Sequence, residues 1–112
     1  MKGKIVVTGC RGFIGSHFVR FFSKNYELIG ISRKNEEIKG CKQVININER
    51  EKIREAIQTS DFLFHLCAII DPYDKDIEKI NLGFTKFLVS ESKKIKNFIF
   101  LSSQNVLFDN DD

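Results

Sequence analysis

Gly9, Gly12 and Gly15 recur at every third position directly after the apolar run Ile5-Val6-Val7, and an amphipathic stretch begins at the last of them. A strand, a glycine turn and a helix in that order form a site that cradles the phosphates of a nucleotide. One glycine allows the tight turn out of the strand, one lets backbone approach a pyrophosphate, and one lets the helix pack closely on the sheet. The helix then directs its unpaired N–H groups and the positive end of its dipole at the phosphates. Without the flanking strand and helix the same glycines would read as an ordinary turn. With that context Arg11, Phe13 and Ile14, which lie inside the motif, are expected to line the dinucleotide together with the glycines.

Further chemistry is expected where strands end, because ligands of open α/β sheets lie outside the carboxyl ends of the strands. The second apolar run is followed by Ser32-Arg33-Lys34. A carboxylate here would accept the ribose hydroxyls of NAD and repel a 2′-phosphate, and Ser32 fills that position instead, without the charge. Arg33 offers a planar fork of donors to a phosphate and Lys34 adds point charge, so NADP(H) is favoured and NAD(H) is the second choice. The alternative is that both cations are solvated loop charges. Asn46, at the end of the third run, can donate to and accept from a base edge, or it merely closes a strand. His65, inside an apolar run, reads as a satisfied buried histidine before it reads as a catalyst.

The elements that must position these residues follow from periodicity. Ile14, Phe18, Phe21 and Phe22 fall on one helix face and are expected to be core, with Asn25 ending the helix. Glu27 to Ser32 reads as a buried strand, a polar loop runs from Arg33 to Gly40, and Val44 to Ile47 reads as a third strand. Asn48, with Glu51 three residues on, predicts an N-cap and capping box for a helix carrying Ile53, Ala56 and Ile57. The continuous apolar run Phe62 to Ile70 predicts a central parallel strand broken by Asp71-Pro72. A long helix with Ile77, Ile80, Phe84, Phe87 and Leu88 on one face comes next, then a fifth strand, Phe98 to Leu101. Strands alternating with helices imply an α/β fold with right-handed crossovers and a doubly wound parallel sheet, of order 3-2-1-4-5 if it follows the dinucleotide-binding template.

Composition narrows the function classes. The chain has 112 residues, eleven Phe, one Pro and a net charge of +3, consistent with one ordered domain over 1–112 and no strong pull toward nucleic acid. The longest apolar run is too short to span a bilayer, and no signal peptide is expected. Cys10, Cys41 and Cys67 lack Cys-x-x-Cys spacing, which predicts reduced thiols, a cytoplasmic protein and no metal site.

Thr8 before the glycines, the wider Gly-x-x-Gly-x-x-Gly spacing, and Phe13-Ile14 with Ser16-His17 resemble the short-chain dehydrogenase/reductase superfamily. Specifically, they resemble its extended branch of nucleotide-sugar epimerases, dehydratases and reductases. The resemblance runs over essentially the whole chain and implies a Rossmann-like domain. It implies that Asn46-Ile47 frame the adenine, and that Leu66, Cys67 and Ala68 pass beneath the pyrophosphate and nicotinamide ribose. Asn81, near Thr85, would face the cofactor, although Phe84 stands where the family has Gly. Ser103, in Ser102-Ser103-Gln104-Asn105-Val106, aligns with the family's catalytic hydroxyl, although Leu107-Phe108 replace the usual Tyr-Gly; the alternative is a serine pair satisfying strand-end backbone.

The family's Tyr-x-x-x-Lys pair has no counterpart here, since Tyr26 and Tyr73 are followed four positions on by Gly30 and Ile77. The expectation is therefore the cofactor-binding N-terminal portion of a nucleotide-sugar enzyme, cut after strand five and inactive alone. An exposed strand-five edge would favour self-association or a partner chain. A non-catalytic NADP-binding regulatory module is the alternative, and an interaction domain without nucleotide is a more distant one.

Overall fold

The computed structural model describes residues 3–10, 13–67, 75–94 and 97–102, with side chains described for 3–10, 14–66 and 83–93. Five parallel strands form one sheet. They are β1 (Lys4–Thr8), β2 (Glu27–Ser32), β3 (Gln43–Asn46), β4 (Phe62–Cys67) and β5 (Asn97–Ser102), in the spatial order β3-β2-β1-β4-β5. Helix α1 (Phe13–Phe22) joins β1 to β2, α2 (Arg50–Gln58) joins β3 to β4, and α3 (Lys75–Glu91) leads to β5. The predicted doubly wound α/β sheet and its strand order are thus the observed ones. Thr8 pairs with Ile31 of β2 on one side and His65 of β4 on the other.

Alternation along each strand divides the core between the two faces of the sheet. Ile5, Val7, Leu28 and Leu66 face α1 and pack with Val19 and Cys10. Val6, Ile29, Ile31 and Leu63 face the other way, against Ile53, Ala56 and Ile57 of α2 and Phe84 and Leu88 of α3. Because both faces are covered, the central strand has no polar side. Each fully buried aliphatic contributes about 1.5–3 kcal/mol.

The face that α1 buries differs from the expected stripe. Gly15, Phe18, Val19 and Phe22 turn inward, while Phe21 is 70% exposed and Ile14 38%. A Cβ on Gly15 would stand 1.9 Å from the Gly9 carbonyl oxygen, so that contact sets the rotation of the helix. Phe21 lies two positions beyond Val19 and therefore points away. The inward aromatics stack on β4, Phe18 lying 4.6 Å from Phe64 between ring centroids. The helix also ends at Phe22, earlier than Asn25, with the Tyr26 N–H donating to the Phe22 carbonyl at 3.0 Å.

The start of α2 is a second correction. Its N-cap is Glu49, without a side-chain capping bond, and Asn48 does not fill that role. Glu49 instead accepts from the Asn46 N–H at 3.1 Å, and the Asn48 N–H donates to Asn46 Oδ1 at 2.9 Å. Glu51, the expected capping-box partner, pairs with Arg54. The strand end and the helix start are so close that the Glu49 side chain and N–H both bond Asn46, and the Asn48 N–H that Glu51 would have served is already taken by Asn46.

Candidate functional site

The carboxyl ends of β1 and β4 are where the winding of the sheet reverses: from β1 the chain proceeds toward β2 and β3, then crosses by α2 to β4 on the opposite side. Such a switch point opens a crevice outside the strand ends. Gly9 leaves β1 there with φ +68°, a left-handed conformation, and a Cβ on it would lie 1.7 Å from the Leu66 carbonyl oxygen. Only glycine satisfies both the dihedral and the space. Gly15 in the first turns of α1 packs in turn on the Gly9 carbonyl. β4, the glycine turn and the helix are therefore in contact without intervening side chains, which sets the N-terminal end of α1 beside the crevice. Of the remaining motif positions, Arg11 and Gly12 lie outside the described residues, and Phe13 begins α1.

Beneath this turn Thr8, His65 and Thr85 form a linked set. Thr8 Oγ1 lies 2.5 Å from His65 Nδ1 and Thr85 Oγ1 lies 2.9 Å from His65 Nε2. The set joins β1, β4 and α3. Burial pushes the imidazole from its ordinary 6.5 down to about 4, so the ring is neutral at neutral pH. A neutral ring has one donor and one acceptor nitrogen, and each threonine hydroxyl can supply the complement. His65 is thus a satisfied buried histidine that positions Thr8, the residue before the glycine turn. Phe84, in place of the family's Gly, is buried with its ring edge-on to His65 at 6.0 Å.

The residues expected near the adenosine end come together after β2 and β3. The Lys34 N–H donates to Ser32 Oγ at 3.1 Å, folding the chain just beyond β2, and leaves Arg33 and Lys34 exposed. Asn46 Nδ2 donates to the Arg33 carbonyl at 3.2 Å and to Asn35 Oδ1 at 2.8 Å. With its Oδ1 accepting from Asn48, Asn46 clasps the two loops. Ile47 is half-buried and packs on the core of the α2–α3 face.

At the crevice floor Leu66 is buried and lends its carbonyl to the Gly9 contact. The backbone of Cys67 ends β4 in register with Ser102. Asn81 lies on α3, with its side chain outside those described. Ala68 and Ser103 lie outside the described residues.

One grouping escaped the sequence reading. The sulfurs of Cys10 and Cys41 both lie 3.1 Å from where a Cβ on Gly30 would stand. The available signal was Gly30 itself, an isolated glycine within an apolar strand, which marks a close approach.

Comparison with known proteins gives concordant results. Residues 5–111 match the family described as the NAD dependent epimerase/dehydratase family. A UDP-N-acetyl-alpha-D-glucosaminuronate decarboxylase of Bacillus cytotoxicus is 30% identical over 122 aligned positions, which cover 95% of this chain and 38% of the relative. A 3 beta-hydroxysteroid dehydrogenase/Delta 5→4-isomerase of Vaccinia virus is 28% identical, over 90% of this chain and 34% of its own length. The chain therefore spans little more than a third of the curated relatives it matches. Among solved structures, a UDP-N-acetylglucosamine 4-epimerase from Bacillus cereus superposes with a TM-score of 0.68 at 22% identity, covering 88% of this chain and 36% of that one. A short-chain dehydrogenase/reductase superfamily protein from Agrobacterium tumefaciens with bound NAD does so with a TM-score of 0.70 at 20% identity, covering 87% and 31%. At these identities the superpositions establish the fold.

Proposed function

Because the chain belongs to the NAD dependent epimerase/dehydratase family, we propose that it is the part of such an enzyme that holds NADP(H) and that the whole enzyme acts on a nucleotide sugar. The observation that carries this reading is the bare backbone contact of Gly9 with Leu66 and of Gly15 with Gly9 at the switch point between β1 and β4. A side chain at either position would collide with backbone and displace the turn that a pyrophosphate must approach. The residues present fit the group. Gly9, Arg11, Gly12, Phe13, Ile14 and Gly15 would take the pyrophosphate, with Leu66, Cys67, Ala68 and Asn81 along the nicotinamide half. Ser32, Arg33, Asn46 and Ile47 would take the adenosine half, Arg33 meeting the 2′-phosphate with its fork of donors. When bound, the cofactor supplies hydride chemistry. Ser103 would hydrogen-bond the reacting oxygen of the substrate.

The nucleotide-sugar assignment rests on the decarboxylase and epimerase among the relatives. The 112 residues contain no Tyr-x-x-x-Lys pair, and we assign the proton-transfer step to residues supplied by further chain. A regulatory module that binds the cofactor and catalyses nothing shares the same cradle; a Tyr-x-x-x-Lys pattern in the coding region beyond Asp112 favours the enzyme and a stop codon favours the module. We place the protein in the cytoplasm and expect self-association through the edge of β5, which light scattering reads as a mass rising with concentration; a monomer throughout would refute the edge contact.

The cofactor assignment is tested by thermal unfolding with NADPH and NADH. A ligand at about 100 times its Kd adds about 2.7 kcal/mol, and NADPH should reach that protection at the lower concentration. Arg33→Ala should weaken NADPH about tenfold or more, as loss of a charge-assisted hydrogen bond implies, and spare NADH. No protection by either cofactor would refute the dinucleotide reading, and equal losses for both would refute the 2′-phosphate role.

A further inference from the structure

Cys10 and Cys41 belong to different segments, one in the glycine turn after β1 and the other in the helix-free connector between β2 and β3. Both are thiols, and both sulfurs meet over Gly30 in the middle of β2. A Cβ there would stand 3.1 Å from each sulfur, with Ile38 Cδ1 next at 3.7 Å. The two sulfurs are thus separated by no more than twice that distance, and the side chain that would stand between them is absent. Cys10 is buried and its thiol donates weakly to the Ile31 carbonyl at 3.8 Å. Cys41 is only half-buried and follows Gly40, which has φ +100°.

We propose that Cys10 and Cys41 are an oxidisable dithiol that closes into a disulfide across Gly30, and that the closed form holds the dinucleotide more weakly than the dithiol form. The second half rests on the dinucleotide reading of the glycine turn. A disulfide requires sulfurs about 2.05 Å apart and Cβ atoms about 3.8 Å apart, so the two segments must draw together. The turn has no slack: Gly9 already touches the Leu66 carbonyl and its own carbonyl touches Gly15. Any share of the closure that falls on Cys10 therefore shifts the backbone N–H groups that would meet the pyrophosphate.

With a peroxide as oxidant the step balances. The more accessible Cys41, as thiolate, attacks a peroxide oxygen, breaking the O–O bond to give a sulfenic acid and a hydroxide that takes up the proton the thiol released. The Cys10 sulfur then displaces the sulfenic hydroxyl, which leaves as a second water with the Cys10 proton while the S–S bond forms. The two thiols give up two electrons, and one hydrogen peroxide becomes two waters.

The test treats the full chain with hydrogen peroxide, maps cross-linked peptides by mass spectrometry, and measures NADPH affinity before oxidation, after it, and after dithiothreitol. The expected result is a Cys10–Cys41 link, lighter by two hydrogens, that dithiothreitol reverses, with NADPH affinity about tenfold lower while the link persists. Cys67→Ser, which keeps both sulfurs of the pair, should form the same Cys10–Cys41 link in peroxide. Cys41→Ser should form no link and keep its affinity in peroxide, and saturating NADPH should slow closure of the parent's pair, since linkage is reciprocal. Absence of the link, whether the thiols stay reduced or are consumed elsewhere, overturns the dithiol; a link that leaves affinity unchanged overturns the coupling. If the reduced protein binds neither NADPH nor NADH, the cofactor reading and the coupling fall together, while the mapped link still decides the dithiol.

Discussion

His65 shows how a single residue ties the site to stability. Burial holds its folded-state pKa at about 4 against an ordinary 6.5. Above pH 6.5 the ring is neutral in both folded and unfolded chains, and its contribution is fully present. As the pH falls toward 4 the unfolded chain takes up a proton that the folded chain refuses, so stability drops by about 3 kcal/mol over that window. Urea midpoints of the parent should therefore fall more steeply from pH 6.5 to 4 than those of His65→Gln, and parallel curves would show that the ring is not held neutral. At Gly9 the expectation is harsher. Gly9→Ala places a Cβ 1.7 Å from a backbone oxygen at φ +68°, and the unfolding free energy should fall by more than about 2 kcal/mol. Retention of parental stability would mean that the turn can relax away from β4. The buried nature of His65 was legible from its place in an apolar run. Its partners were not, because Thr8 and Thr85 lie 57 and 20 positions away.

Elements were legible in kind and order, and less so in phase. The helical period of α1 admits several overlapping apolar stripes, and Ile14, Phe18, Phe21 and Phe22 form one of them. The observed face is centred on Gly15, because its contact with Gly9 allows the helix to approach in only one rotation. The cap of α2 was misplaced for a related reason: Asn46 and Glu49 bond across the strand–helix junction, an exchange that a local capping pattern does not encode. Helix α3 offers a clean test of local physics. Gly83 lies exposed within it, and nothing stands within 4 Å of a Cβ built there. Gly83→Ala should therefore raise stability by about 0.5–1 kcal/mol, read as a higher denaturant midpoint at unchanged slope. A loss would indicate a neighbour at that face.

At the scale of the whole molecule the sheet separates two cores, one against α1 and one against α2 and α3, while β1, β2 and β4 contribute side chains to both. Neither core can dissolve without exposing the other face of the same strands. Unfolding is therefore expected as a single transition, with the fluorescence of Tyr26, which packs on the α1-side core, coinciding with the loss of helical circular dichroism. Separated midpoints would show that the faces unfold independently.

Local periodicity was enough to establish the α/β class, because helices, strands and turns are set by neighbours a few residues apart, and the dinucleotide template that the glycine spacing suggests supplied the strand order. The convergence of Cys10 and Cys41 over Gly30, the clasp of Asn46 on the β2 and β3 loops, and the seat of His65 between two threonines were decided only by the tertiary structure. Each joins segments that crossovers bring together side by side, and the distance between such segments depends on how the sheet is wound and how closely its layers pack.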